Sequence, residues 1–185
     1  SRLLIARDDD AHIAGVVGVE AALLNPFTRQ VFTRAESELL LRSELDAMDG
    51  PSFSKFSKLS RTEMTRQLYP EYQLIGLLTN LAVAPSSRRR GLARALCEEC
   101  EAACSSWKLP GLLLQVEEAN APARALYDGL GFEELWQDSD ATCLRLAPGA
   151  GSVASALLML ESEELLKSEP STIVTLARAV RSVDG

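Results

Sequence analysis

Several features that assign proteins to familiar classes are scarce or missing in this chain of 185 residues. It has four cysteines, and three of them (Cys97, Cys100 and Cys104) lie close together. Four clustered cysteines are too few for a disulfide framework in a chain of this length, so we expect reduced thiols. The longest apolar run, residues 154–160, is far shorter than the ~20 residues that a membrane-spanning helix requires. The sequence therefore predicts a protein that does not span a membrane.

Positive charge and histidine are also in short supply. The net charge of −7 argues against a surface that binds duplex nucleic acid, so no nucleic acid partner is expected. The one histidine, His12, lies far from the clustered cysteines, which leaves no set of three or four converging metal ligands. We therefore predict no metal site and interpret the cysteines as small apolar residues packed beneath a sheet.

The chain also lacks the glycine-rich sequences of common nucleotide sites. It has neither the Gly-Lys-Ser/Thr ending of a nucleoside triphosphate loop nor the three-glycine pattern of a dinucleotide fold. Both classes are therefore excluded as explanations for the basic cluster described below.

The pattern of apolar and polar residues predicts alternating strands and helices, followed by two further helices. A hairpin is expected over residues 3–19, with its turn at the aspartates of positions 8–10. An insertion over residues 25–70 contains a helix at 35–48 and an exposed polar loop at 52–66. The later elements expected are strands at 74–83, 112–116, 132–136 and 142–146, and helices at 91–107, 120–129, 153–167 and 173–180.

A basic turn joins the strand at 74–83 to the helix that follows. Arg88, Arg89 and Arg90 precede Gly91, and Ala93 is the second residue after that glycine. The first amides of a helix lack partners and carry a partial positive charge, so a helix beginning here can bind phosphate. Glycine lets the backbone approach a pyrophosphate, and arginine adds charge-assisted hydrogen bonds. The turn therefore indicates a small phosphorylated ligand.

Two segments resemble the motifs of the GNAT N-acetyltransferase superfamily. Residues 81–93, LAVAPSSRRRGLA, are similar to its coenzyme motif, Arg/Gln-x-x-Gly-x-Gly/Ala, and residues 116–132 are similar to its second motif. The resemblance implies an α/β (α+β) fold, with a mixed, mostly antiparallel, twisted sheet flanked by helices. It assigns residues 1–148 to the acetyltransferase-like domain and residues 149–185 to a C-terminal helical extension. The strand and two helices that begin such domains have no room within the first 20 residues, so we expect a core abbreviated at its N-terminus unless those elements lie upstream of this sequence.

The resemblance also implies a site for acetyl-CoA as cosubstrate. The backbone of Leu81, Ala82 and Val83 would pair with the pantetheine arm, while Asn120 and Tyr127 would line the opposite wall. The residues that would surround the pyrophosphate are Arg88, Arg89, Arg90, Gly91, Leu92, Ala93 and Arg94.

The chemistry implied is transfer of an acetyl group from a thioester to an amine. Because a phenol has a pKa of about 10 and a thiol one of about 8.5, Tyr127 is a reasonable acid for the leaving thiolate. The general base is left open between Glu117, which heads the prediction, Glu118 and Glu20. For each of these carboxylates, a solvated surface group is the favoured interpretation.

Two functions from different classes follow. In the first, the chain is an N-acetyltransferase for a protein N-terminus, a lysine or a small amine. In the second, it is an inactive GNAT-fold scaffold or subunit of a larger complex, docked to a protein partner through its C-terminal helices. The first residue is Ser1 rather than methionine, which would suit removal of a transit peptide and a plastid location.

Overall fold

The computed structural model describes residues 1–146 and 166–180. Within them the chain forms two sheets, five α-helices and one 3₁₀ turn at Pro85–Ser87. The strands are β1 (Arg2–Arg7), β2 (Ile13–Asn25), β3 (Gln30–Phe32), β4 (Gln73–Val83), β5 (Gly111–Glu117), β6 (Glu133–Asp138), β7 (Thr142–Leu146), β8 (Leu166–Pro170) and β9 (Ile173–Ala179). The helices are α1 (Arg34–Ala47), α2 (Gly50–Phe56), α3 (Arg61–Leu68), α4 (Leu92–Ser106) and α5 (Ala121–Asp128).

The main sheet has seven strands in the order β1-β2-β4-β5-β9-β6, with β3 paired to β2 as well. Every pairing is antiparallel except that of β4 with β5, which is parallel. A second, two-stranded sheet joins β7 to β8. The predicted fold class, a mixed and mostly antiparallel sheet flanked by helices, is confirmed.

Helix α4 supplies much of the core on one face of this sheet. Its apolar stripe faces β2, β4 and β5, and Cys97, Cys100 and Cys104 are at most 3% exposed there. Strand β4 has no side chain at Gly76, where a Cβ atom would overlap the Cys104 thiol, so helix and sheet approach closely. These three cysteines are packed as small apolar residues, as the sequence predicted.

Several elements expected from the sequence are confirmed to within a residue or two: helix α1, strand β4, helix α4 and the short helix α5. The β1–β2 hairpin is also present, but its second strand continues to Asn25, six residues beyond the expected end. Helix α1 begins with a capping box, in which Thr33 accepts from the Glu36 amide while the Glu36 carboxylate accepts from the Thr33 amide. No helix in the described residues is both long and apolar enough to cross a bilayer.

The exposed loop expected at residues 52–66 is wrong, because helices α2 and α3 occupy most of it. The Asp49 carboxylate accepts from the Ser52 amide at 2.9 Å and starts α2. The Ser60 hydroxyl accepts from the Glu63 amide at 3.2 Å and starts α3. Caps of this kind satisfy amides that would otherwise lack partners, which lets polar, short sequences form helices.

The helix expected at residues 173–180 is also wrong: this segment is strand β9. It lies inside the main sheet between β5 and β6, with Val174, Thr175 and Leu176 buried. Most of the helix expected at residues 153–167 falls outside the described residues, but its last two residues, Leu166 and Lys167, begin strand β8. The described part of the C-terminal extension is therefore strand, and half of it completes the domain core.

Candidate functional site

A wedge-shaped gap opens between strands β4 and β5. Their parallel pairing involves only Gly76 with Leu112 and Leu77 with Leu113, although β4 continues to Val83. Beyond Leu77 the two strands diverge, so the backbone of β4 on this side has no ladder partner. Such a free backbone edge is available to an extended ligand, in the way that added strands bind to sheets.

A β-bulge in strand β4 lies beside the gap. Val16 pairs with Ala82 and Gly18 with Thr79, so the bulge places Asn80 and Leu81 opposite the single residue between them on β2. Asn80 adopts a left-handed backbone with φ of 55°. Bulges bend a strand and interrupt its pairing, and they are common next to functional sites. Here the bulge bends the half of β4 that carries Leu81, Ala82 and Val83.

The turn after β4 presents free amides at the same end of the sheet. Gly91 is the N-cap residue of α4 and has φ of 81°, and Arg89 in the same turn has φ of 61°. No side chain caps the helix, so its first amides keep their hydrogen-bonding capacity. A Cβ atom on Gly91 would meet nothing within 4 Å, so the space beside this residue is open. The turn can therefore hold an anion.

Three of the arginines predicted for the site have different surroundings. The Arg88 Nε donates to the Val83 carbonyl at 3.1 Å, which closes the turn on the end of β4. The Arg94 guanidinium donates to the Gly129 carbonyl at 3.1 Å and ties α4 to the end of α5. Arg90 lines a cavity of about 190 Å³ together with Arg7 from the end of β1. Two of the predicted arginine side chains are thus held by backbone carbonyls.

Tyr127 lies on α5, with its ring in the core beside α4. It is 6% exposed, and its ring contacts Phe132 edge-on with 5.6 Å between the centroids. Burial, together with the neighbouring Cys97 and Cys100, raises the pKa of Tyr127 to about 12. Its hydroxyl forms no hydrogen bond with a described residue. Every fully enclosed side-chain oxygen among those residues does have a partner, so this hydroxyl is not fully enclosed. The hydroxyl therefore reaches solvent at the edge of the core.

Asn120 is the N-cap of α5. Its Oδ1 accepts from the Ala123 amide at 3.3 Å, and the residue itself is exposed. This bond fixes the start of α5 and hence the position of Tyr127 two turns later. The side-chain NH₂ of Asn120 retains its two donors, so capping leaves it able to bind a ligand.

Glu117, the predicted base, ends strand β5 in an ion pair with Arg145 of β7. The hydroxyl of Ser171 donates to the same carboxylate at 3.3 Å. The hydrogen bond from Arg145 is the largest cause that lowers the pKa of Glu117. A carboxylate held in this way is a weak base, and its contacts join the two sheets. This geometry favours a structural role.

The other two candidate bases differ in their surroundings. Glu20 accepts from the backbone amide of Arg34 at 3.2 Å, which places it at the start of α1. Glu118 is exposed and follows β5 directly.

Sequence reasoning missed Gln115, an exposed amide two residues beyond the last β4–β5 pair, whose Nε2 lies 3.5 Å from the Thr175 hydroxyl. A single polar residue in the apolar run LLLQV was the signal available for it.

The structure brings most of the predicted coenzyme-site residues to one end of the sheet. Leu81, Ala82 and Val83 border the gap, and the turn from Arg88 to Arg94 follows directly. The contact of Arg94 with Gly129 places α5, which carries Tyr127, against the same helix. Glu117 and Glu20 are instead held by contacts with other elements. The assignments of individual residues to coenzyme contacts stay predictions.

Comparison with known proteins agrees with this arrangement. The family model described as Acetyltransferase (GNAT) family matches residues 65–132, which contain β4, α4, β5 and α5. The [Ribosomal protein bS18]-alanine N-acetyltransferase of Escherichia coli K12 is 30% identical over 109 residues. That match covers 59% of this chain and 66% of the relative, so the chain spans just under two thirds of the relative's length. Its counterpart from Salmonella typhimurium is 31% identical over the same length.

Solved structures share the fold. Naa20 of Chaetomium thermophilum, in complex with a bisubstrate analogue, matches with a TM-score of 0.52 at 16% identity, over 95% of this chain and 64% of that one. The mosquito arylalkylamine N-acetyltransferase like 5b matches with a TM-score of 0.51 at 15% identity, over 96% and 74%. At these identities the likeness shows the fold alone. Over residues 65–132 this chain is therefore similar to the acetyltransferase (GNAT) family, and it shares the fold of these acetyltransferases.

Proposed function

We propose that this chain transfers an acetyl group from acetyl-CoA to the N-terminal amine of a protein. The observation that carries the proposal is the gap between β4 and β5, which opens directly beside the uncapped start of α4 at Gly91. A free strand edge next to free helix amides matches a ligand with an amide-bearing arm and a pyrophosphate. The curated relatives, whose name gives a ribosomal-protein alanine as acceptor, support a protein N-terminus as the amine.

The amides of the first turn of α4 would hold the pyrophosphate. Helix N-termini carry a partial positive charge, and the positive φ angles of Arg89 and Gly91 turn the backbone so that successive amides line one concave surface. Arg90 would add charge from the rim of the adjoining cavity. The pantetheine arm would then extend along Val83, Ala82 and Leu81, whose ladder partners are missing on the β5 side.

Tyr127 would act on the sulfur that leaves. With a pKa of about 12, its hydroxyl is neutral at physiological pH and donates a hydrogen bond to the developing thiolate. Full proton transfer is less favourable than for an ordinary phenol, because burial makes this phenol a weaker acid. We therefore propose that Tyr127 stabilises the thiolate as a hydrogen-bond donor while solvent supplies the proton.

The amine must attack in its neutral form, so its proton has to leave. Glu117 is paired with Arg145, and Glu20 accepts from the Arg34 amide. Of the three carboxylates considered, the exposed Glu118 has no side-chain partner among the described residues, and we therefore propose it as the acceptor for that proton. The Gln115 amide is neutral at all pH values, so it can orient an acceptor but cannot remove a proton.

The proposal is tested in two steps. Calorimetry should show one molecule of acetyl-CoA bound per chain. The rate at which the CoA thiol is released should then be measured with three acceptors: a peptide with a free N-terminal alanine, the same peptide with an acetylated N-terminus and a free internal lysine, and a small arylalkylamine. Release should be fastest with the first peptide. Absence of acetyl-CoA binding would refute the coenzyme site. Binding without thiol release from any of these acceptors would refute the enzymatic activity and identify a coenzyme-binding protein that is not a transferase.

The alternative function, a scaffold docked through C-terminal helices, has lost its main support. The apolar residues from Ile173 to Ala179, which were expected on a docking helix, form the buried strand β9. The role as a complex subunit and the plastid location stay predictions from the sequence.

A further inference from the structure

A second cavity lies beneath helix α3, at the opposite end of the sheet from the Gly91 turn. It has a volume of about 550 Å³ and is lined in part by Leu74 of β4. Leu74 and Val83 are nine residues apart on the same strand, which corresponds to about 30 Å. This cavity is therefore separate from the proposed coenzyme site. A neighbouring cavity of about 180 Å³ shares part of its lining, including Thr65.

Thr65 on α3 is an unpartnered polar residue in the wall of both cavities. It is only 3% exposed, yet its hydroxyl forms no hydrogen bond with any described residue. Because no fully enclosed side-chain oxygen lacks a partner in the described residues, the hydroxyl must face the cavity space. The hydroxyl is therefore accessible from the cavity and free to bond with whatever occupies it. A polar atom of a bound ligand could be that partner.

Aromatic rings form part of the same wall and are held in place by their neighbours. Tyr72 contacts Phe32 at 5.7 Å and Tyr69 at 5.4 Å between ring centroids. Trp107, at the end of α4, carries the guanidinium of Arg2 over its ring at 5.4 Å. Rings fixed in this way offer a flat apolar surface at little entropic cost to a ligand that stacks on them.

The charge of this cavity is the opposite of that of the whole chain. Among the described residues, its lining contains Arg66 and Lys108, both exposed, and no acidic residue. The net charge of the chain is −7. Two cations beside two aromatic rings therefore form a local site for an anion on an acidic protein.

We propose that the cavity under α3 binds a small molecule that has an aromatic ring and one acidic group, such as a carboxylate, sulfonate or phosphate. The ring contacts Tyr72 and Trp107, the acidic group lies near Arg66 and Lys108, and a polar atom of the ligand bonds with the Thr65 hydroxyl. Cavities of this size, mostly apolar and with a few polar groups, are typical of small-molecule sites. Since the site lies at the other end of the sheet, the proposal does not depend on acetyl transfer.

The chain offers a direct readout, because it has only two tryptophans, Trp107 and Trp136. In the Trp136→Phe variant, Trp107 is the only tryptophan. The probe is anilinonaphthalenesulfonate, which has an aromatic ring system and one sulfonate and becomes fluorescent when bound. Excitation of Trp107 should produce saturable emission from one probe molecule per chain. Saturating acetyl-CoA should leave the affinity for the probe unchanged.

Matched variants locate the probe. Thr65→Val keeps the shape and removes the hydroxyl, and should weaken probe binding roughly threefold to tenfold without lowering stability. Arg66→Gln and Lys108→Gln should each weaken it roughly twofold to fivefold, while the exposed Lys58→Gln, which lies outside the cavity, should have no effect. Phenylnaphthylamine, the uncharged analogue, should bind equally to the charge variants and the parent.

Three results would overturn the proposal. They are no energy transfer from Trp107 to the probe, a probe affinity in the Thr65, Arg66 and Lys108 variants that equals that of the parent, and displacement of the probe by acetyl-CoA. Calorimetry with acetyl-CoA is a separate measurement, so failure of the proposed coenzyme site would leave this test intact.

Discussion

Gly91 is the residue on which the proposed coenzyme site depends most. A side chain would disfavour its backbone, since φ is 81°, and would also project into the open space beside the start of α4. Arg89 has the same left-handed backbone but does carry a side chain, which adds charge. Substitutions at Gly91 and at Arg89 can therefore distinguish the contribution of backbone shape to coenzyme binding from the contribution of charge.

Gly91→Ala should lower stability by about 1–2 kcal/mol, because alanine disfavours the left-handed backbone. It should also weaken acetyl-CoA binding by roughly tenfold or more, about 1.4 kcal/mol, because its Cβ atom meets the ligand. Arg89→Gly should leave stability equal or raised and weaken binding only about twofold to fivefold. Urea unfolding and calorimetry measure the two quantities. Unchanged affinity in Gly91→Ala would show that the pyrophosphate lies elsewhere.

Tyr127→Phe should lower kcat roughly a hundredfold, since loss of one donor to developing charge costs about 10²–10³ in rate. The ring remains, so KM for acetyl-CoA should change little. Because the pKa of Tyr127 is about 12, this group should produce no alkaline decline in kcat below that pH. Tyr69→Phe is the control: the pKa of Tyr69 is also raised to about 12, but its hydroxyl donates to Glu44 in the insertion. An equal loss in both variants would contradict a specific role for Tyr127.

Secondary structure elements differ in how well the sequence predicted them. Helix α4 was predictable because its apolar stripe, its glycine start and the preceding strand all indicate the same structure. Strand β9 was not, because its apolar positions fit helical spacing, although the β-branched run of Ile173, Val174 and Thr175 favours a strand. Its pairing with both β5 and β6 is a long-range effect, and no local pattern records it.

The features of the candidate site also divide into those that the local sequence indicates and those that depend on long-range packing. The Gly91 turn and the cap at Asn120 are local features, so the motifs alone indicated them. The pairing of Glu117 with Arg145 joins residues 28 positions apart, and the Thr65 cavity depends on how α3 packs. A base assignment made from strand position alone could not detect the arginine that lowers the basicity of Glu117.

Packing of α4 on β4 depends on the missing side chain at Gly76. Gly76→Ala should lower the free energy of unfolding by about 1–3 kcal/mol, because its Cβ atom would overlap the Cys104 thiol in a closely packed core. Adding Cys104→Ala should restore part of the loss by removing that thiol. Gly50→Ala, where a Cβ atom meets nothing within 4 Å, should change stability by no more than about 0.5 kcal/mol. Additive losses in the double variant would show that the two positions do not contact each other.

At the scale of the whole molecule, the core of this chain contains several weak acids that burial keeps neutral. Burial raises the pKa of Cys97 and Cys104 to about 11 and that of Cys100 to about 12. Tyr127, in the same core, has a pKa of about 12. These groups bind their protons more tightly in the folded than in the unfolded chain. The free energy of unfolding should therefore depend on pH in the alkaline range.

The sign of this linkage is fixed by which state loses protons first. Above about pH 9 the unfolded cysteines ionise while the folded ones stay neutral, so the stability present below that pH should be lost as pH rises toward 11–12. Each such group lowers the free energy of unfolding by about 1.4 kcal/mol per pH unit once its unfolded form is ionised.

Urea unfolding in the presence of a reductant, from about pH 8 to pH 10.5, should show this decline. Cys100→Ala should make the decline shallower, whatever its effect on stability at pH 8, because one linked proton is gone. Parallel curves for the parent and Cys100→Ala would contradict the prediction, because they would show that the Cys100 thiol ionises as readily in the folded protein as in the unfolded chain.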